Sequence, residues 1–289
     1  MTSHDALLVV SFGGPEGPDD VMPFLENVTR GRGVPAARLA EVAERYQRIG
    51  GVSPINEQCR RLVSRLEQAL AAGGADLPVY WGNRNWHPFL ADTVARMADD
   101  GVGRALAFVT SAYSSYSGCR QYLDDIDRAR AAVGERAPEI HKLRPFFDHP
   151  GFVGPFVDAT RAARDELGTA GATAPLVFTA HSIPCAQADT CDYEIQLRTV
   201  ADLVRERVDP AVRHDLVYQS RSGPPSVPWL EPDVNDHLRD LAAEGHTAAV
   251  LVPIGFISDH MEVVWDLDHE AKATADEVGL AVARAATPG

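Results

Sequence analysis

The chain has 289 residues, 45% of them hydrophobic and 24% charged, enough for two domains of ordinary size or one large one. Its net charge of −14 argues against sequence-independent nucleic-acid binding, which needs clustered cations, and disfavours attraction to an anionic membrane surface. No stretch approaches the ~18 consecutive apolar residues of a membrane span, and the opening Met-Thr-Ser-His-Asp-Ala lacks the cationic start of a signal peptide, so a cytoplasmic location is expected.

Apolar, β-branched runs alternate along the chain with segments of helical period. Strands are predicted over 6–11, 78–82 and 104–110, then over 176–180, 215–219, 248–252 and 280–284. Helices are predicted over 36–48, 57–72, 89–100 and 120–133, then over 151–167, 193–208 and 233–245. This alternation is the pattern of an α/β fold with parallel sheets, and the nearly continuous apolar runs suit strands covered on both faces. The stretch Lys142–Pro150, with prolines at 145 and 150, reads as a crossover between a domain over 1–145 and a second over 146–289.

The strand exits carry most of the chemistry. After the first strand, Phe12-Gly13-Gly14-Pro15 lacks the third glycine of a dinucleotide fingerprint, and Pro15 has no N–H to offer a phosphate. No GxxxxGK[ST] loop or GxSxG elbow is present either, so nucleotide binding is not expected. Arg30 and Arg32 follow in a glycine-flanked loop, and Arg45, Tyr46 and Ser53 surround the turn at Gly50-Gly51. With Tyr113, Tyr116 and Tyr122 they form a set of anion and hydroxyl anchors suited to an organic polyacid, ordinary surface side chains being the alternative. The four cysteines, Cys59, Cys119, Cys185 and Cys191, form no CxxC pair and read as free thiols, Cys119 keeping a weaker claim as a ligand.

His181 follows the fourth strand directly. An isolated histidine is more often a structural hydrogen-bonding group. At a strand exit, where open α/β sheets bind ligands, imidazole becomes a candidate metal ligand and base. The sixth strand empties through Pro253-Ile-Gly255 into Asp259-His260-Met261-Glu262. Glu262, Asp266 and Glu270 recur every four residues, a carboxylate ladder on one helix face that Asp259 extends. A solvated acidic face is the ordinary reading. Interleaving with Val263, Val264 and Trp265 favours a helix facing a cleft. One imidazole with several carboxylates gives weak, stepwise handling of a divalent metal, suited to transfer rather than storage.

Six motifs in order make the chain resemble a ferrochelatase. They are Leu7-Leu-Val-Val-Ser-Phe-Gly13, Arg30-Gly-Arg32, Gly50-Gly-Val-Ser-Pro54, Thr179-Ala-His-Ser-Ile-Pro184, Tyr218-Gln-Ser-Arg-Ser-Gly-Pro-Pro225 and Pro253-Ile-Gly-Phe-Ile-Ser-Asp-His-Met-Glu262. The resemblance implies two similar Rossmann-like domains with a porphyrin in the cleft between them. It is strongest to enzymes of high-GC Gram-positive bacteria, which implies insertion of Fe²⁺ into coproporphyrin III in haem biosynthesis by a cytoplasmic protein, expected as a monomer. By motif, His181 and Glu262 are the implied iron ligands, His181 also the acceptor of pyrrole protons. Ser53 and Tyr122 match porphyrin contacts, and Arg30, Arg45 and Tyr46 are the candidate anchors beside them. Asp266 and Glu270 match carboxylates on a helix, π-helical in relatives, that carries metal or protons. Met261 and Trp265 are expected to keep water out.

The chain also departs from the family pattern. Phe12 stands where several relatives have an iron-ligating tyrosine, and Asp189–Tyr193 lacks a glycine usual before the family's Asp-Tyr, a change expected to alter a loop only. The sequence stops at Ala286-Thr-Pro-Gly289, where relatives continue with a closing helix, so truncation or a missing cover is expected. The C-terminal cysteines that hold a [2Fe–2S] cluster in some relatives are lacking, so no cluster and no permanently bound cofactor are expected; Fe²⁺ is substrate. Protoporphyrin IX as substrate, a cobalt or nickel tetrapyrrole chelatase, and a non-catalytic tetrapyrrole or metal carrier are the competing readings.

Overall fold

The computed structural model describes residues 4–115 and 120–289. Residues 4–111 and 120–144 form one unit, and residues 112–115 and 145–289 form another. Tyr116 and Cys119, both candidates of the sequence, lie outside the described residues.

The first unit runs β1 (Ala6–Ser11), α1 (Val21–Val28), α2 (Ala36–Arg48), α3 (Ile55–Ala72), β2 (Val79–Asn83), α4 (Leu90–Asp99), β3 (Arg104–Val109), α5 (Tyr122–Val133) and β4 (Glu139–Lys142). All pairings are parallel, in the order β2-β1-β3-β4. One sheet face buries Leu8, Val10, Ala105 and Ala107 against Leu90, Val94 and Met97 of α4 and Ile126 and Ala129 of α5. Each fully buried Leu or Val of this kind contributes roughly 1.5–3 kcal/mol. The opposite face meets α3, where Cys59 Sγ donates to Ser11 Oγ at 3.2 Å and burial pushes the thiol pKa up. Two elements go beyond the expected set. α1 carries Pro23 in its first turn, and β4 is only four residues, Glu-Ile-His-Lys, too polar and short to show a strand pattern.

The second unit runs α6 (Pro150–Glu166), β5 (Leu176–His181), α7 (Cys185–Ala188), α8 (Tyr193–Val208), β6 (His214–Gln219), α9 (Val234–Ala243) and β7 (Ala248–Val252). It continues with α10 (Met261–Val263), a π-helical segment Val264–Ala271, α11 (Lys272–Val278) and β8 (Ala281–Arg284). Its parallel sheet has the order β6-β5-β7-β8, placing β5 at the centre between β6 and β7. Leu176, Phe178, Val250 and Val252 face Phe156 of α6 and Leu197, Val200 and Val204 of α8. On the other face Val177, Val217, Ala249 and Leu251 meet Leu238 and Leu241 of α9 together with Val263, Leu267, Ala271 and Ala275.

That last series explains the π-helical segment. Apolar residues every four positions drift by roughly 40° per step around an α-helix with 3.6 residues per turn. A stretch of wider i→i+5 turn counters the drift and keeps all four on the sheet. Among the described residues no helix is long and apolar enough to cross a membrane.

Candidate active site

Three neighbouring strand ends of the second unit build the site. Central β5 ends at His181, whose partner in the register is Gln219 at the end of β6. β7 exits on the other side through Pro253-Ile254-Gly255. A Cβ on Gly255 would lie 2.7 Å from Ala180 Cα, so only glycine lets this loop pass so close over the end of β5. The Gly255 N–H donates to Thr179 O at 3.0 Å and fixes that passage. Beyond it, extended His260 caps α10, its Nδ1 accepting from the Glu262 N–H at 3.2 Å. His181 Nε2 and Glu262 Oε1 are thereby brought to 3.4 Å.

The two groups retain 31% and 43% side-chain exposure, so both remain within reach of a substrate. His181 Nδ1 contacts the Ser182 carbonyl, which can only accept, so Nδ1 carries a proton and neutral His181 keeps its lone pair on Nε2. Burial disfavours the imidazolium, but the Glu262 charge and hydrogen bond outweigh it and raise the His181 pKa to about 9. Burial likewise opposes the Glu262 carboxylate, and the His181 charge overcomes this to hold it at about 2. His260 is pushed down by burial, consistent with its neutral capping role.

Glu262, Asp266 and Glu270 follow one another along the helical segment, each just before a residue of the buried series Val263, Leu267 and Ala271. Asp266 is buried and accepts from Ser220, a residue at φ 62° immediately after β6. Burial raises its pKa to about 7; the Ser220 hydrogen bond opposes the rise, and the charges of Glu262 and Glu270 add to it. Trp265 Nε1 donates to Glu270 Oε1 at 2.7 Å. Trp265 therefore pins a carboxylate, a role beyond the water exclusion expected of it, while Met261 is buried as expected. Asp259 does not extend the ladder. It precedes the helix and accepts from Arg284 and Thr287. Among the described residues no group of three or more His, Cys, Asp and Glu side chains converges to hold a metal ion.

Apart from Tyr113, the other candidates within the described residues lie in the first unit. Gly51 (φ 73°) has Pro18 Cα 2.6 Å from where a Cβ would stand; that tight turn leads into Ser53, which is buried with its N–H on Pro15 O. Tyr122 is buried beneath the Arg84 guanidinium, 4.6 Å from its ring centre, and Arg84 is held by Asp125. Phe12, 38% exposed, also meets Arg84, whose guanidinium carbon is 5.9 Å from its ring centre. Arg30 is exposed in the turn after α1. Arg45 pairs with Glu41 at 3.2 Å within α2, and Tyr46 is buried with its ring edge-on to Phe24. Tyr113 belongs to the second unit and is buried with its hydroxyl on Ile254 O at 2.7 Å; it is a structural tie, not a ligand anchor.

Four supporting residues were not singled out from sequence. Gln219 accepts from the Ser182 N–H at 2.8 Å through its backbone and donates to the Glu262 carbonyl through its side chain, so it ties both sides of the His181–Glu262 pair. Ser220 donates to Asp266. Both stood inside the quoted Tyr218–Pro225 motif, which was the available signal. Tyr193, at the start of α8, donates to the His181 carbonyl at 3.1 Å. Arg284 gave no signal, being one arginine at the end of a strand.

Comparison with known proteins identifies the family. The ferrochelatase family profile matches residues 4–289. A coproporphyrin III ferrochelatase of Nocardia farcinica is 59% identical over 294 residues, covering 99% of this chain and 83% of that protein. A ferrochelatase of Rhodopirellula baltica is 55% identical, covering 100% and 82%. A coproporphyrin III ferrochelatase of Mycolicibacterium smegmatis is 55% identical, covering 99% and 85%. Among solved structures, SirB from Bacillus subtilis with Fe³⁺ aligns with a TM-score of 0.58 at 12% identity, covering 99% of this chain and 89% of that one. CbiX, described as the terminal enzyme of sirohaem biosynthesis in denitrifying bacteria, aligns at 0.51 with 15% identity, covering 98% and 92%. Those two likenesses concern the fold.

Proposed function

The chain belongs to the ferrochelatase family, and on that premise we propose that it inserts ferrous iron into coproporphyrin III to give Fe-coproporphyrin III in haem biosynthesis. The observation that carries this reading is the His181–Glu262 pair, 3.4 Å apart at adjacent strand exits and backed by two further carboxylates. The relatives named for coproporphyrin III support the choice of porphyrin.

Insertion requires the ring to lose two N–H protons while Fe²⁺ sheds water, and the site divides these tasks. At neutral pH His181 is protonated and paired with Glu262. An arriving Fe²⁺ takes over the Glu262 charge that holds the His181 proton, so the imidazole, 31% exposed, gives it up to solvent. Neutral His181, with its lone pair directed to Nε2 by the Ser182 carbonyl, then accepts one pyrrole proton, passes it to solvent and takes the second in turn. Glu262, with His181 as the other proposed ligand, partly dehydrates the iron and, as a weak ligand, releases it to the ring. Asp266 and Glu270 lie behind Glu262 as the path for incoming iron or departing protons. Ser53, Tyr122 and Arg30 are proposed to contact the porphyrin, Arg30 through a propionate. Strain in the bound ring is offset by such remote contacts. No resident cofactor enters this scheme.

The test is anaerobic turnover with Fe²⁺, followed by absorbance, with coproporphyrin III and protoporphyrin IX offered in parallel. Faster insertion into coproporphyrin III is expected. Preference for protoporphyrin IX would overturn the substrate assignment, and binding of either porphyrin without insertion would make the chain a carrier.

A further inference from the structure

Arg284 is the last residue of β8, with 18% of its side chain exposed. One guanidinium holds two carboxylates. Nη1 and Nη2 lie 3.2 and 3.5 Å from the two oxygens of Asp259, while Nη2 donates to Asp268 Oδ2 at 3.0 Å and Nε to Asp268 Oδ1. Thr287 adds a bond to Asp259 Oδ1 at 3.0 Å, and the Gly289 N–H donates to Ile257 O at 2.9 Å, so the strand that follows the helix is sewn back to the loop that precedes it. Asp259 stands three residues before Glu262. Asp268 stands midway between Asp266 and Glu270, inside the π-helical segment.

We infer that Arg284 is a positioning residue for metal delivery, clamping Asp259 and Asp268 so that Glu262, Asp266 and Glu270 stay in register. The inference rests on the reading that iron passes along that ladder. A π-helical stretch is a poor hydrogen-bonding arrangement in isolation and persists where tertiary contacts impose it. Relaxing it to an α-helix by one residue would rotate the downstream carboxylates by roughly 100° relative to Glu262. A clamp at the helix entry and another within the π segment, made by one rigid planar group, oppose that rotation. Lysine, with a single point charge, cannot grip both carboxylates in two-point fashion.

The experiment measures initial rates against Fe²⁺ at saturating porphyrin, and against porphyrin at saturating Fe²⁺, for wild type, Arg284→Gln, Arg284→Lys and Thr287→Val. Arg284→Gln is expected to raise KM for Fe²⁺ about tenfold, the lower end for loss of an outer-shell partner of a metal site, with porphyrin KM within a factor of about two. Arg284→Lys should fall between it and wild type, and Thr287→Val closest to wild type. An unchanged iron KM in Arg284→Gln overturns the inference even if kcat or thermal stability drops, since a purely structural role lowers only the active fraction. If Arg284→Gln does not fold, the iron KM of Arg284→Lys decides in the same way. Should wild type insert no metal, the chelatase reading falls by itself. Titration of the apo protein with Co²⁺, followed in the visible spectrum, then decides: weaker binding in Arg284→Gln sustains the clamp and equal binding overturns it.

Discussion

The two sheets share one strand order, so β1 corresponds to β5 and β2 to β6, and the two units differ in what they place at matching ends. In the first, Ser11 pairs with Asn83; in the second, His181 pairs with Gln219. Ser11 and Asn83 are both fully buried and neutral. Asn83 is bonded on both ends, its amide donating to His87 O at 2.9 Å and its oxygen accepting from Trp81 Nε1 at 3.0 Å. His181 is titratable and partly open, and the Gln219 side-chain oxygen is buried with no hydrogen-bond partner. One scaffold thus closes its first carboxyl edge with a satisfied polar network and leaves the second chemically unfinished. The fold supplies the edge and individual side chains supply the activity.

His181→Ala breaks this comparison most severely. Insertion should fall by at least roughly a hundredfold, the usual loss for a positioned base, with porphyrin affinity largely kept, whereas Ser11→Ala at the matching place should leave turnover near wild type. Near-normal turnover in His181→Ala removes the base from the scheme. Next come the carboxylates. Glu262→Gln should slow insertion more than Glu270→Gln, because Glu262 faces His181 while Glu270 is tied to Trp265. The reverse order would reverse the direction of iron delivery. A smaller contrast separates Gln219→Leu from Asn83→Leu. The first should lower kcat roughly tenfold, the scale of a slight misplacement of reacting groups. The second should cost about 1–3 kcal/mol through orphaned polar partners and spare kcat. Equal kcat losses in both would show that the two edges serve the chemistry alike.

Much of this was legible in the sequence where information is local. β1, α2, α8 and β7 occupy the residues that their apolar periodicity predicts. The four-residue spacing of Glu262, Asp266 and Glu270 identified a ladder, and strand-exit position singled out His181. What was not legible depends on long-range partners. Asp259 looked like part of the ladder because Arg284, 25 residues away, reaches it only once β8 has paired with β7. Tyr113 looked like a ligand anchor because its acceptor, Ile254 O, is 141 residues distant. The π turn was expected only through the resemblance; its physical cause, the seating of Val263, Leu267, Ala271 and Ala275 on one sheet face, needs the sheet in place.

The gentlest test concerns Asp266, because its burial should be visible in stability alone. Its folded-state pKa of about 7 lies above the model-peptide value near 3.9. The folded protein therefore holds this proton more tightly than the unfolded chain does. The stabilisation is complete below pH ~4 and is lost as pH rises through about 7, at no more than ~1.4 kcal/mol per unit in between. Asp266→Asn removes that dependence and keeps a group able to bond Ser220. Its melting temperature relative to wild type should therefore climb between pH 5 and pH 8, by a few degrees at ~2–4 °C per kcal/mol. The His181–Glu262 pair titrates with different limits: Glu262 contributes above pH ~4.5 and is lost as pH falls through about 2, while His181 contributes below pH ~6.5 and is lost as pH rises through about 9. Both proteins retain that pair, so it largely cancels in the difference. A flat difference would mean that Asp266 is charged throughout this range.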